Sequence, residues 1–369
     1  MDQVHTTIIL DELQFIFKGG DLMNIEMNNL KRSRLDWIDA ARAFAIFCIV
    51  LGHALNGYSF IWKLVYGFHV PLFVLISGFT YTPRPRKENL KKSICGGFRR
   101  ILVPYFIFGI LSIVIYMLIG TKMDGDKAIT IAQSIKGLFW ANGETGIMRW
   151  NLPLWYLPML FVLRIIICYV LSEKDTPSKL ILKFLTFSAF AMIMYYSGFI
   201  TNLPFCFETV VYLIPFFIFG SFLKQIIHNI AKLKKSLLYS ICTGIIIIST
   251  FIIAYQKNID YVHDQYRVYL LFLISALGIS SSIIALFSKF SPPKFIIKIG
   301  KNTLPILLMH KFPLMFFEYI CPGTSNLYSA YRGMASFLIS FVAILLCIIA
   351  TYLVEKIAPW IIGKDKKVC

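Results

Sequence analysis

Ten stretches of mostly apolar residues follow one another along this 369-residue chain. About 20 such residues are what an α-helix needs to cross the hydrocarbon core of a bilayer. The stretches occupy residues 37–57, 61–81, 101–120, 152–171, 180–200, 205–223, 237–255, 267–288, 296–318 and 335–354. Only 15% of the residues are charged, whereas a soluble domain has about 25%. The sequence therefore predicts an all-α, polytopic membrane protein with about ten transmembrane helices.

Lysine and arginine are unevenly divided between the two sides of this arrangement. If residues 1–34 are cytoplasmic, the cytoplasmic segments hold 26 of these cations and the opposite segments hold nine. Membrane proteins retain positive charge on the cytoplasmic side. We therefore expect both termini in the cytoplasm of a multi-pass protein of the inner (cytoplasmic) membrane. The predicted parts are an extension at 1–34, a transmembrane domain at 35–357 and a tail at 358–369.

The net charge of +18 at pH 7 would suggest a nucleic-acid ligand in a soluble protein. Here the cations lie in short loops between apolar stretches, and no segment outside the predicted spans interleaves basic and aromatic residues. We therefore expect membrane lipids, and no nucleic acid, as partners. The eight cysteines show no Cys-x-x-Cys spacing, so neither a metal nor a permanently bound cofactor is predicted.

The first predicted span carries two residues that are costly at membrane depth. In DWIDAARAFAIFCIVLGHAL, residues 36–55, Arg42 is near the cytoplasmic end and His53 is in the outer half. Eleven residues make about three helical turns, so both lie on nearly the same face, about 16 Å apart. In a straight helix Arg42 cannot contact His53.

Two further histidines fall at a similar predicted depth. His69 and His310 each lie about two turns below the outer ends of the second and ninth spans. Four interpretations stay open: imidazoles bonded to nearby carbonyls, a three-histidine metal site, a proton or ion pathway, and a catalytic base. Glu208, near the outer end of the sixth span, is the one clear carboxylate for a pathway. A neutral imidazole could take the proton of a substrate hydroxyl that attacks an acyl carbon, or it could itself become transiently acylated.

The segment 84–100 holds seven cations in 17 residues, on the same predicted side as Arg42. The general bias of cytoplasmic loops towards positive charge accounts for part of this concentration. The density of cations in this segment would also suit binding of an anionic acyl donor or of lipid headgroups. Arg42 could bind a phosphate.

Five segments, in this order and spacing, resemble the membrane-bound acyltransferase family 3, the O-acetyltransferases of bacterial envelope glycans. They are RLDWIDAARAFAIFCIVLGHAL, FHVPLFVLISGF, FRRILVPYFIFG, LPLWYLPMLFVLR and IGKNTLPILLMH. The resemblance extends over nearly all of the chain from residue 34. It is greatest to the branch related to fucose 4-O-acetylase and nodulation-factor acetyltransferases.

This resemblance implies transfer of an acyl group, typically acetyl from acetyl-CoA as co-substrate, to a hydroxyl of a glycan or lipid-linked saccharide. It implies that His53 is the catalytic histidine and that Arg42, Arg99 and Arg100 are donor-binding or structural residues. Many members carry an Arg-x-x-Arg motif here, and the adjacent pair Arg99 and Arg100 departs from it.

Further candidates to line the cavity around the catalytic histidine are His69, His310, Trp155 and Glu208. Trp155 and Tyr156, at the outer mouth of the fourth span, could stack on a sugar or belong to the aromatic belt of the membrane interface. The alternative function is a glycolipid or polysaccharide exporter without catalytic activity, which would depend on neither acetyl-CoA nor His53.

Overall fold

The computed structural model describes residues 36–55, 59–143, 146–198, 202–256, 266–320 and 325–364. These residues form helices joined by short turns, and no β-strand occurs among them. The extension predicted at 1–34 lies outside the described residues.

The described part of the chain contains sixteen α-helices, besides short 3-10 and π-helical turns. Those up to residue 170 are α1 (Asp36–Leu55), α2 (Phe60–Tyr66), α3 (His69–Thr80), α4 (Arg86–Lys91), α5 (Val103–Ile115), α6 (Thr121–Asp124), α7 (Ile131–Trp140) and α8 (Tyr156–Val170). The others are α9 (Pro177–Ser197), α10 (Phe207–Lys232), α11 (Lys235–Tyr255), α12 (Tyr269–Phe287), α13 (Lys294–Lys301), α14 (Thr303–Met309), α15 (Lys311–Ile320) and α16 (Ser325–Ile357).

Nine helical segments of the described chain are long and apolar enough to cross a membrane. They are Asp36–Leu55, Phe60–Thr80, Arg86–Gly120, Leu152–Val170, Pro177–Ser197, Pro204–Lys232, Lys235–Tyr255, Tyr269–Phe287 and Gly333–Ile357. They match nine of the ten predicted spans, which confirms an all-α polytopic membrane protein. The tenth predicted span, 296–318, is not one long helix but consists of α13, α14 and α15 in succession.

The pair formed by α3 and α10 has the most extensive contacts of the bundle. Small residues permit this close approach. A methyl group added at Gly78 would lie 2.0 Å from the carbonyl oxygen of Phe217, and one at Gly220 would lie 2.1 Å from that of Leu75. Because α3 also packs on α1 and α12, His69 at its first residue is placed in the interior.

The IGKNTLPILLMH segment runs alongside α1 in the same direction. At its start, a methyl group on Gly300 would lie 1.8 Å from the carbonyl oxygen of Asp39. At its end, His310 lies next to His53, with ring centroids 5.4 Å apart. The segment therefore follows α1 from its first turn almost to its last. We call these two regions the Arg42 end and the His53 end of the bundle.

The chain remains packed on the bundle beyond the predicted end of the transmembrane domain. A 3-10 turn forms at Pro359–Ile362, and Ile362 is 1% exposed. Gly363 adopts a φ of 71° beside the carbonyl oxygen of Arg100, where a Cβ atom would lie 2.6 Å away. The first seven residues of the tail predicted at 358–369 thus contact the Arg42 end.

Candidate active site

Three histidines from separate parts of the sequence form one cluster at the His53 end. The ring of His53 on α1 lies 5.4 Å from that of His310, which directly follows α14. Tyr66 lies between His53 and His69, with ring centroids 6.2 Å and 4.8 Å away. His69 and His310 are buried, whereas His53 is half-buried. The cluster therefore contains one partly exposed imidazole and two that are enclosed by protein.

Backbone carbonyl groups determine which nitrogen of the two buried imidazoles carries hydrogen. Nδ1 of His69 is 2.8 Å from the carbonyl oxygen of Val65. Nδ1 of His310 is 3.0 Å and 2.9 Å from those of Ile306 and Leu307. A carbonyl oxygen only accepts hydrogen bonds, so each Nδ1 donates and each Nε2 holds the lone pair of the neutral ring. Nε2 of His310 is buried and has no hydrogen-bond partner among the described residues.

Tyr66 is the member of the cluster that the sequence analysis missed. Its ring stacks on that of Trp62 at a centroid distance of 4.3 Å, and its hydroxyl oxygen is 3.5 Å from Nδ1 of His53. Trp62, Tyr66 and His69 are spaced by four and three residues, which places them on one side of a helical segment. That spacing was the signal in the sequence that could have identified Tyr66.

Arg42 is held in position by two neighbours. Its Nη1 donates to the carboxylate of Asp39 at 3.0 Å, and its Nη2 donates to the hydroxyl of Thr80 at 3.4 Å. The side chain of Asp39 is fully buried and that of Arg42 is 25% exposed. The spacing of three residues permits this ion pair on one helix face, although the sequence analysis did not single out Asp39. Along the uninterrupted helix α1, Arg42 remains about 16 Å from His53.

An internal cavity of about 220 Å³ begins beside Arg42 and is bounded by α1, α3, α8 and α14. On α1 its wall ends at Ile49, one turn from His53. On α3 its wall ends at Phe73, one turn from His69. The cavity therefore occupies the space between the Arg42 end and the histidine cluster, and a narrow ligand bound at Arg42 would extend through it towards His53.

A group of cations lies at the Arg42 end. The charges of Arg84, Arg100 and Arg164 are close enough to Lys92 to repel its ammonium group. The carboxylate of Glu88 forms an ion pair with Arg84 and also attracts the ammonium group of Lys92. Because the positive charges outnumber the negative one, the group is suited to bind a multiply charged anion. Arg164, on α8, is a candidate binding residue that the sequence analysis did not single out.

The pair Arg99 and Arg100 lies in the π-helical turn Phe98–Leu102, within the helix that leads into α5. Both side chains are exposed. The backbone of Arg100 is covered by Gly363, so the tail and the basic segment meet at this point. The structure thus places both predicted arginines at the Arg42 end, with side chains accessible to a ligand.

Trp155 and Glu208 are buried, at 5% and 2% exposure. Tyr156, next to Trp155, lines the internal cavity. The carboxylate of Glu208 accepts hydrogen bonds from Nδ2 of Asn142 at 2.6 Å and from the backbone N–H of Leu203 at 3.1 Å. These partners lie in the loops before α8 and α10, so Glu208 connects the two loops. Neither partner is a member of the histidine cluster.

The arrangement of the histidines does not favour the metal interpretation. Within the described ranges, no group of three or more His, Cys, Asp or Glu side chains is placed to hold a metal ion. Two of the three imidazoles also use Nδ1 to bind backbone carbonyl groups. The geometry instead suits proton transfer by a half-buried imidazole that is surrounded by fixed neighbours.

Comparison with known proteins gives one match. Residues 35–355 match the family model Acyl_transf_3, described as an acyltransferase domain. No curated protein and no solved structure matches the chain. The matched residues include the histidine cluster, the internal cavity and the basic segment at the Arg42 end. Because the match extends over most of the chain, this polytopic helical protein belongs to acyltransferase family 3 and is a membrane acyltransferase.

Proposed function

We propose that the protein is an inner-membrane O-acyltransferase. It moves an acyl group, with acetyl as the first candidate, from acyl-CoA to a hydroxyl of an envelope glycan or lipid-linked saccharide. The observation that carries this proposal is the cavity between Arg42 and the histidine cluster. The sequence resemblance to the branch related to fucose 4-O-acetylase supports the choice of acetyl and of a sugar hydroxyl.

The two ends of the bundle suit the two ends of an acyl-CoA molecule. Its phosphates would bind the cations at the Arg42 end, where Arg99 and Arg100 are exposed and Arg164 is nearby. Its extended arm would lie in the cavity and bring the thioester to His53. The donor is a co-substrate in this proposal, and the protein holds no permanent cofactor.

The chemical step is a direct transfer. His53 takes the proton of the acceptor hydroxyl while the hydroxyl oxygen attacks the thioester carbon. The new C–O bond forms, the C–S bond breaks, and the imidazolium returns the proton to the departing thiolate. General base catalysis of this kind contributes a factor of about 10² to 10⁴.

The uneven distribution of Lys and Arg predicts which end of this site faces the cytoplasm. With both termini in the cytoplasm, the Arg42 end faces the compartment that contains acyl-CoA. The His53 end then lies in the outer half of the membrane, where an acceptor from the cell envelope can approach the half-buried imidazole. This orientation would let a cytoplasmic donor modify an acceptor on the other side.

The test is acyl transfer in membrane vesicles that contain the protein and endogenous glycolipid, with radiolabelled acetyl-CoA. We expect label in the glycan or glycolipid fraction, and a loss on the order of 10² or more in His53→Ala. His228→Ala is the matched control, because His228 is exposed on α10. Transfer by His53→Ala at the wild-type rate would overturn the role of His53. Wild-type vesicles that incorporate no more label than vesicles without the protein would overturn the proposal and favour an exporter. Transfer from another acyl-CoA but not from acetyl-CoA would overturn the choice of acetyl.

A further inference from the structure

The buried Nε2 atom of His310 is the strongest unexplained feature of the described chain. His310 has 0% exposure, and its Nε2 has no hydrogen-bond partner in the described structure. Buried polar atoms are nearly always paired, because an unpaired one loses its bonds to water without replacement. A histidine with a purely structural role would be expected to have partners for both nitrogens. The lone pair on Nε2 therefore indicates a partner that binds in the working site.

The imidazole of His53 is positioned to be that partner. The two ring centroids are 5.4 Å apart and the ring planes are inclined by 36°. This separation is close to that of two imidazoles joined edge to edge by an N–H···N bond of about 3 Å. His310 is held by two backbone carbonyls through Nδ1, so a small rotation of the half-buried His53 is enough to form the bond.

The other neighbour of His53 favours the same arrangement of hydrogens. The hydroxyl of Tyr66 lies 3.5 Å from Nδ1 of His53. If this hydroxyl donates, Nδ1 must hold the lone pair, and the ring hydrogen of neutral His53 is on Nε2. Nε2–H is then the group that His310 can accept. At 3.5 Å the contact with Tyr66 is weak, so the hydroxyl of a substrate would replace it at Nδ1.

We infer that His310 is a positioning residue for His53: its Nε2 accepts a hydrogen bond from Nε2–H of His53. This contact keeps the lone pair of His53 on Nδ1, where the acceptor hydroxyl delivers its proton. The inference rests on the proposed function for its catalytic meaning. Its structural content, a hydrogen bond and a tautomer, is independent of the substrates. Like the carboxylate of a serine-hydrolase triad, His310 acts through the base and does not itself touch the reacting atoms.

Nitrogen NMR of the full-length protein in lipid bilayers tests the contact directly. In ¹⁵N-histidine-labelled wild-type protein, with the His53 signals assigned by comparison with His53→Ala, we expect His53 to carry hydrogen on Nε2. We also expect a ¹⁵N–¹⁵N coupling between His53 and His310 across the hydrogen bond. Hydrogen on Nδ1 of His53 in the wild type, or no coupling between the two rings, would overturn the inference.

Two substitutions separate positioning from packing. His310→Gln keeps an acceptor oxygen near the position of Nε2, whereas His310→Leu removes the acceptor but retains the bulk. We expect His310→Leu to populate both tautomers of His53 and to lower kcat at least about tenfold relative to His310→Gln, with the donor KM unchanged. Equal kcat in the two variants, or an unchanged tautomer in His310→Leu, would overturn the inference.

The same samples distinguish failure of the inference from failure of the proposed function. The NMR measurement requires neither acyl-CoA nor an acceptor. A wild-type protein that has the expected coupling but transfers no acyl group would overturn the proposed function alone. A wild-type protein that transfers acetyl through His53 but lacks the coupling would overturn the role of His310 alone.

Discussion

The carboxylate of Asp39 lies 3.0 Å from Nη1 of Arg42, and the two residues are one turn apart near the start of α1. Asp39 is fully buried, and its backbone is in close contact with Gly300 of the IGKNTLPILLMH segment. One residue thus connects the orientation of Arg42 to the packing of the segment that carries His310. The Arg42 end and the histidine cluster are linked through the backbone of this segment.

Asp39→Asn should destabilise the protein and weaken donor binding. Removing one partner of a fully buried ion pair costs about 3–5 kcal/mol, and the partial exposure of Arg42 reduces this to about 2 kcal/mol. We expect a lower unfolding temperature in detergent and a higher KM for acyl-CoA. Glu88→Gln is the control for stability, because its pair with Arg84 is exposed and contributes about 0–1 kcal/mol. Equal losses of stability in the two variants would contradict this role of Asp39.

Gly300→Ala should separate α13 from α1. The added methyl group would lie 1.8 Å from a backbone carbonyl oxygen, which cannot move without the helix. Overpacking of this kind costs about 1–3 kcal/mol, so we expect a lower unfolding temperature and reduced acyl transfer. In Gly244→Ala, a methyl group meets nothing within 4 Å, and stability should stay the same or rise slightly. A Gly300→Ala protein as stable as Gly244→Ala would show that the two helices adjust freely.

Ser77→Leu should block the cavity without unfolding the protein. Ser77 lines the cavity, and its hydroxyl donates to the carbonyl of Phe73 one turn earlier. We expect kcat/KM for acyl-CoA to fall on the order of tenfold, equivalent to about 1.4 kcal/mol. The control is Thr186→Leu on the exposed surface of α9, where the hydroxyl bonds to the carbonyl of Leu182 in the same way. If both variants transfer acyl groups equally, the donor does not pass through this cavity.

Cys95 offers a test of orientation. Among the described cysteines it is the one that is not buried, and it lies in the basic segment. With the other seven cysteines replaced, a membrane-impermeant maleimide should label it only from the cytoplasm. A second protein, with Lys136→Cys on α7 as its single cysteine, should be labelled only from the opposite side, because Lys136 is exposed there. Labelling of Cys95 from outside would reverse the proposed orientation.

Hydropathy and helical spacing predicted the depth of each residue but not its lateral neighbours. The face shared by Arg42 and His53 follows from the period of 3.6 residues per helical turn. The common level of the three histidines follows from counting turns along each span. Which helices are adjacent depends on contacts such as the one between Gly300 and the backbone of Asp39. Such contacts produce no periodic pattern of residues in the sequence. Arg164 was missed as a candidate binding residue for this reason, because the cations near it come from other helices.

The two differences in the span boundaries have separate physical causes. The helix that leads into α5 begins at Arg86, although the apolar stretch begins at residue 101, because cations lower hydropathy without preventing helix formation. In the stretch at 296–318, the apolar composition suggested one helix. Asn302 instead bonds through Nδ2 to the carbonyl of Lys298 at 2.7 Å, and the chain divides there into α13 and α14.

The division of this stretch has a consequence for biogenesis. α14 has seven residues, which rise about 10 Å, a third of the hydrocarbon thickness. The piece continues through the helical backbone of His310 into α15, and α13 before it carries three lysines. α14 packs on neighbours that are far apart in the chain, α1 and α16. The pair of His53 and His310 therefore forms only when segments from both halves of the chain have packed together.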